Sequence, residues 1–166
     1  MHIRSSVFRN NDKMPVRYTG EGQDISPPLT WSEAPRETQE FALICEDPDA
    51  PIRAGKDHPF IHWMIYGIPP SITSLPEGLL PQIKIIAPFP TYQGVNSFGK
   101  AGYGGPLPPM GHGPHHYIFR LYALSMKSNL QPGVAKDEFL RTIQSRILAT
   151  TEIVATYERV PYVKSA

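Results

Sequence analysis

Gly104-Gly105-Pro106-Leu107-Pro108-Pro109-Met110-Gly111-His112-Gly113-Pro114-His115-His116-Tyr117 runs straight into Ile118-Phe119-Arg120-Leu121-Tyr122-Ala123-Leu124. This stretch decides the fold. A loop shaped by glycine and proline delivers three histidines to the start of an apolar run. Apart from Arg120 that run is apolar on both faces, the pattern of a strand in the middle of a sheet. Alternation along the strand puts His115 and Tyr117 on one face and His116 on the other. The first pair is therefore expected to look into a pocket and His116 to look elsewhere.

A second stretch is built the same way. Asp47-Pro48-Asp49-Ala50-Pro51 follows the apolar run Phe41–Glu46. Two reasons for such carboxylates are open. They can orient a histidine or hold a cation, or each can bond its own backbone in an Asx turn. His62 lies in Phe60-Ile61-His62-Trp63-Met64-Ile65-Tyr66 and is expected to enter the fold on a strand, either as a core residue or as a pocket group. Further strands are predicted at Ile61–Ile68, Ile83–Ile86, Tyr117–Leu124 and Glu152–Arg159. In the last, Ile153, Ala155 and Tyr157 alternate with Glu152, Thr156 and Glu158. Phe139, Leu140, Ile143, Ile147 and Leu148 recur at helical spacing and predict a helix from Lys136 to Ala149, with Asp137 and Glu138 in its first turn. Strands separated by Pro/Gly turns, with one late helix, predict a mostly-β protein.

The 166 residues suit a single domain spanning 1–166. Nineteen prolines and 13 glycines lie between apolar runs rather than in clusters, as turn punctuation does. A net charge of +1 without a basic block argues against nucleic-acid binding by phosphate neutralisation. No window approaches the roughly 20 apolar residues of a membrane helix, and the polar start lacks the core of a secretory signal. A cytoplasmic location is expected. The lone Cys45 cannot form an internal disulfide and sits in an apolar strand, so a packing role is expected.

Three histidines invite a metal, but His115 and His116 face opposite ways and no second cysteine or H-E-x-x-H accompanies them. No metal and no cofactor is expected. Walker, dinucleotide and G-x-S-x-G patterns are absent, so no familiar nucleophile is visible and no catalytic residue is assigned. The glycines offer backbone amides that can form an anion-binding nest.

At these residues the chain resembles the phosphatidylethanolamine-binding protein family, also called Raf kinase inhibitor-like proteins, in its bacterial-type branch. The resemblance rests on Asp24-Ile25-Ser26-Pro27-Pro28-Leu29-Thr30-Trp31, Asp47-Pro48-Asp49-Ala50-Pro51, His62-Trp63 with Ile68-Pro69-Pro70, Gly104 to Tyr117, and Tyr122-Ala123-Leu124. It implies a central antiparallel β-sheet with a second sheet and a few peripheral helices, and a small anion pocket at one end. Matched residue by residue, it places Asp47, Pro51, His62, Gly105, Pro109, His115 and Tyr117 at the ligand, with Asp49 ordering the turn and His112 at the rim. The family's H-R-Y reads His115-His116-Tyr117 here, which is expected to alter a supporting hydrogen bond or ion pair.

The expected function is a non-enzymatic binding protein for phosphate-like or phospholipid-head-group ligands. None of the matched pocket residues is a lysine or arginine. Attraction would then come from glycine amides, the Tyr117 hydroxyl and an imidazolium. Asp47 would favour that imidazolium by accepting from one nitrogen of His62 or His115, leaving the other for the ligand. Two alternatives stand beside this: a regulator or inhibitor of a kinase or protease, and a hydrolase using Asp47, His62 and His115. A homodimer through Pro81–Asn96, with Phe89 and Tyr92 as contacts, is a further expectation, against both rings packing on their own domain.

Overall fold

Phe41, Leu43 and Cys45 point one way from their strand while Ala42 and Ile44 point the other, and all five are buried. A strand covered on both sides needs a layer on each face. The computed structural model, which describes residues 1–162, supplies both. Its strands are β1 (His2–Arg4), β2 (Leu29–Ser32), β3 (Glu40–Asp47), β4 (Phe60–Ile68), β5 (Ser74–Leu75), β6 (Lys84–Ile85), β7 (Thr91–Gln93), β8 (His115–Leu124) and β9 (Ile147–Tyr157), with one α-helix, α1 (Lys136–Ile143). A six-stranded antiparallel sheet has the order β6-β7-β4-β3-β8-β9, and a three-stranded sheet the order β1-β2-β5. Trp31, Phe41, Leu43, Trp63, Phe119 and Leu121 belong to one core, which joins residues of both sheets. Ala42, Ile44, Met64, Tyr66, Phe139 and Ile143 form the other, where the large sheet meets α1.

The mostly-β architecture agrees with the sequence reading, and β8 lies inside the sheet between β3 and β9 as its two apolar faces predict. Cys45 is 1% exposed, and burial pushes its thiol well above the ordinary value, so it is an inert packing group.

The helix is shorter than expected. It ends at Ile143, a 3-10 turn covers Gln144–Arg146, and β9 begins at Ile147. Ile147 and Leu148 continue the helical spacing, but Ile147 pairs with Leu124 and Ala149 with Ala123. Arg146 donates to the Lys127 and Ser128 carbonyls at 2.8 and 2.7 Å, which holds the turn. Sheet pairing overrides local propensity here. The strands β1, β2, β5 and β7, two to four residues each, escaped the sequence reading because no period shows in so few positions.

Of the two rings expected at a dimer contact, Phe89 is buried in the core. Tyr92 is 38% exposed, with its ring 6.3 Å from that of Tyr66. Phe89 is thus taken up by its own domain.

Candidate functional site

The sheet brings the distant motifs together because β3, β4 and β8 are neighbours. Asp47 ends β3, His115 begins β8, and His62 lies near the start of β4, so all three sit at one end of the sheet. They line a cavity of about 380 Å³ together with Pro51, Pro109 and Tyr117. Six of the seven residues expected at the ligand therefore share one cavity. Gly105 does not line it. Its amide donates to Asp24 Oδ1 at 2.6 Å, and a Cβ there would stand 2.7 Å from that same oxygen. Gly105 thus clamps the wall from behind.

Most of the glycine amides expected to form a nest are used within the protein. The amides of Gly102, Gly104 and Gly111 donate to the carbonyls of Gly94, His62 and Arg159. The cations that the motif residues lacked come instead from the next loop, where Arg53 and Lys56 line the cavity mouth. Phe60, Phe98, Ser97 and Leu107 also line the cavity and were missed. Arg53, Lys56 and Phe98 lie outside the quoted motifs, and no local pattern distinguishes them from other exposed-loop residues.

Asp47 is 3% exposed and His115 1%. His115 Nδ1–H donates to Asp47 Oδ2 at 2.7 Å, while Asp47 Oδ1 accepts the Asp49 amide at 2.8 Å. Asp47 therefore plays both parts left open by the sequence, closing its own turn and orienting a histidine. The other nitrogen of His115 was expected to face a ligand. Instead Nε2 lies 2.7 Å from Nδ1 of His112. In the neutral ring Nε2 accepts from His112 Nδ1–H, so an Asp47–His115–His112 chain runs from the buried end of β3 to an exposed loop. Gly113, at φ 87°, turns that loop back so that His112 can reach His115.

His62 is 3% exposed, and its Nδ1 lies 2.6 Å from the Gly104 carbonyl oxygen. A carbonyl can only accept, so Nδ1 carries the proton. Burial pushes the ring below the ordinary histidine value, against the raising pull of the Gly104 carbonyl and the Asp47 charge. His62 is thus neutral near pH 7 and does not supply the expected imidazolium. The rings of Phe60, Phe98 and Tyr117 surround it at 5.1, 5.5 and 5.0 Å. Tyr117 is 1% exposed, and its hydroxyl has no hydrogen-bond partner among the described residues. Burial, and then the Asp47 charge, push the phenol far above its usual value, so it stays protonated.

His116 faces out, half-exposed, as alternation predicts. Its amide and its Nδ1 both meet Asp49 Oδ2, at 2.8 and 2.7 Å. Burial raises the Asp49 carboxyl, but the His116 hydrogen bonds and charge outweigh it and hold the group below the usual range. The histidine at the family's arginine position thus keeps a supporting pair of hydrogen bonds to the turn. Asp49 serves the loop and not the cavity. No cluster of three or more metal-ligating side chains occurs among the described residues, nor any helix long and apolar enough to cross a membrane.

A second cavity of similar volume lies at the other end of β3, lined in part by Glu40, Gly67 and Ser128. There the buried Glu40 carboxylate accepts from the Gly67 amide and from both the amide and hydroxyl of Ser128. Those donors make it a structural anchor.

Two packed sheets holding a carboxylate, two histidines and an unpaired phenol at one end define a class, a mostly-β binding protein. Comparison places it further. A family model described as phosphatidylethanolamine-binding protein matches residues 4–158. The chain is 42% identical over 155 residues to a UPF0098 protein of Pyrococcus horikoshii, covering 93% of this chain and 75% of that one. It is 40% identical over 162 residues to a UPF0098 protein of Aquifex aeolicus, covering 96% and 89%. Among solved structures, the Escherichia coli protein YbcL, described as a member of the mammalian PEBP family, superposes with a TM-score of 0.85 at 32% identity, covering 95% of this chain and 97% of the other. The homolog CT736 of Chlamydia trachomatis gives 0.83 at 36% identity with the same coverage. The chain belongs to the phosphatidylethanolamine-binding protein family.

Proposed function

We propose that this protein is a non-enzymatic binding module whose cavity at the β3–β4–β8 end receives the phosphate-like group of a small anionic ligand. The observation that carries the reading is the Tyr117 hydroxyl. It is buried, protonated and without a partner, on a residue that lines the cavity. An unmatched buried donor costs free energy unless a ligand or water meets it. Arg53 and Lys56 at the mouth add the attraction an anion needs. The family membership supports a binding role.

A regulator acting on a protein partner is the second reading. Ile52, Phe98, Leu107 and Met110 expose 80, 44, 45 and 54% of their surface, on residues that line the cavity or adjoin its lining. A partner would cover such a rim, and an anion in the cavity would compete with it. The hydrolase reading rests on Asp47, His62 and His115. The one serine among the cavity's lining residues, Ser97, donates to Asp57 and accepts the Ile61 amide, with no histidine partner among the described residues.

Calorimetric titration with methyl phosphate tests the leading reading, alongside amide chemical shifts. One-to-one binding with shifts concentrated at Asp47, His62, His115 and Tyr117 is expected. No heat and no shifts at millimolar ligand would remove the cavity as an anion site.

A further inference from the structure

We infer that the cavity floor reads a hydrogen on its ligand, so that the site takes a singly protonated phosphomonoester and rejects a phosphodiester. This rests on the phosphate-binding reading and narrows it to a class of ligand.

The inference follows from counting donors and acceptors on the inner wall. His62 has given its one hydrogen, on Nδ1, to the Gly104 carbonyl. Nε2 then carries a lone pair, on a residue lining the cavity. The Asp47 carboxylate can only accept. The hydrogen on His115 Nδ1 is already spent on Asp47, and its Nε2 is taken up by His112. No glycine amide is found to replace them, since those of Gly104 and Gly105 are used internally. Among the described residues the inner wall therefore offers one free hydrogen, on the Tyr117 hydroxyl, against the His62 lone pair and the Asp47 charge.

A fully ionised phosphate has no hydrogen to give His62 and brings two negative charges towards Asp47. A phosphodiester carries one charge, but its phosphate has no hydrogen either. A monoester in its singly protonated form satisfies the wall. Its P–O–H donates to His62 Nε2, an unprotonated oxygen accepts from Tyr117 O–H, and the single charge leans towards Arg53 and Lys56. Other charged or titratable groups bear on His62 too. Asp24 lies behind Gly105 and Asp57 lines the mouth, so both add negative charge and oppose a dianion. His112 meets the cavity only through His115.

Calorimetry of the full chain with methyl phosphate and with dimethyl phosphate, each at pH 6 and pH 8, tests this. With a second phosphate ionisation near 6, about half of a monoester is singly protonated at pH 6 and about one in a hundred at pH 8. Methyl phosphate should therefore bind roughly 10- to 50-fold more weakly at pH 8. Dimethyl phosphate, which carries no donor anywhere, should bind weakly at both. Three results would overturn the inference: diester affinity within threefold of the monoester at pH 6, monoester affinity unchanged or higher at pH 8, or both esters weakening together. The last would mean that a titrating imidazolium holds the anion. If neither ester binds at either pH, the phosphate-binding reading itself fails and this inference goes with it. In His62→Gln, whose amide can donate, the diester should gain on the monoester. The wild-type comparison stands without that variant if it does not fold.

Discussion

The sharpest test of the site's architecture is the pair of substitutions Asp47→Ala and Asp47→Asn. Asp47 and His115 are both almost fully buried, and the carboxylate accepts two hydrogen bonds, from His115 Nδ1 and from the Asp49 amide. Alanine leaves both donors without their carboxylate partner. Each buried donor left unsatisfied costs about 1–3 kcal/mol, so a loss of about 2–5 kcal/mol is expected for the pair. Asparagine is nearly the same shape. Its oxygen can still accept the Asp49 amide, but its NH₂ now faces His115 Nδ1. Two donors cannot meet, so His115 must move its proton to Nε2 and accept at Nδ1, and the bond to His112 must then reverse. A charge-assisted hydrogen bond worth about 1.5–3 kcal/mol gives way to a neutral one worth about 0.5–1.5. The expected loss is about 1–2 kcal/mol. Urea unfolding with an unchanged slope measures both losses, and nitrogen-15 NMR of the imidazoles reports the tautomer. Losses below about 0.5 kcal/mol for both variants, or a His115 tautomer unmoved in Asp47→Asn, would refute the Asp47–His115–His112 chain.

Other outcomes are open to measurement. Tyr117→Phe removes a buried hydroxyl that has no partner in the free protein. Stability should hold or rise slightly, while methyl phosphate binding weakens about 2- to 13-fold, the equivalent of one neutral hydrogen bond of about 0.5–1.5 kcal/mol. Unaltered affinity by calorimetry would take Tyr117 out of the site. Because burial lowers the His62 pKa in the folded state, the unfolded chain binds its proton first as pH falls. The stability from His62 is complete above about pH 6.5 and is lost as pH drops from there through the lower folded value, with a slope of at most about 1.4 kcal/mol per pH unit. In His62→Phe that part of the decline should vanish, and an identical pH profile of urea midpoints would contradict it. Gly105→Ala drives a methyl into the Tyr18 carbonyl and towards Asp24 Oδ1, for an expected loss of about 1–3 kcal/mol in thermal or urea unfolding. A neutral result would show that the wall behind the cavity yields.

Much of this protein is legible along the chain because strand burial leaves a local mark. The two-faced apolar run of β8 announces an interior strand, and the alternation of His115, His116 and Tyr117 correctly divides the face turned to the cavity from the face turned away. The helix end was not legible, since Ile147 and Leu148 suit a helix as well as a strand until Ala123 and Leu124 lie beside them. The cations at the mouth were hidden for a related reason. Arg53 and Lys56 are ordinary loop residues until the fold lays their loop over the β3–β4–β8 end.

The amino-acid sequence by itself determined the mostly-β class, the family, and the membership of Asp47, Pro51, His62, Pro109, His115 and Tyr117 in one place. Residue types and spacing suffice for the class, while the family and the shared place follow from what the motifs resemble. Only the tertiary structure decided which hydrogens remain free there. A histidine's role depends on what its other nitrogen touches, and those partners come from across the sheet and its loops. Gly104 claims the hydrogen of His62, Asp47 and His112 together occupy both nitrogens of His115, and Asp24 takes the Gly105 amide. Hydrogen-bond capacity is spent pairwise in space, so among the described residues Tyr117 is left as the unspent donor on the inner wall.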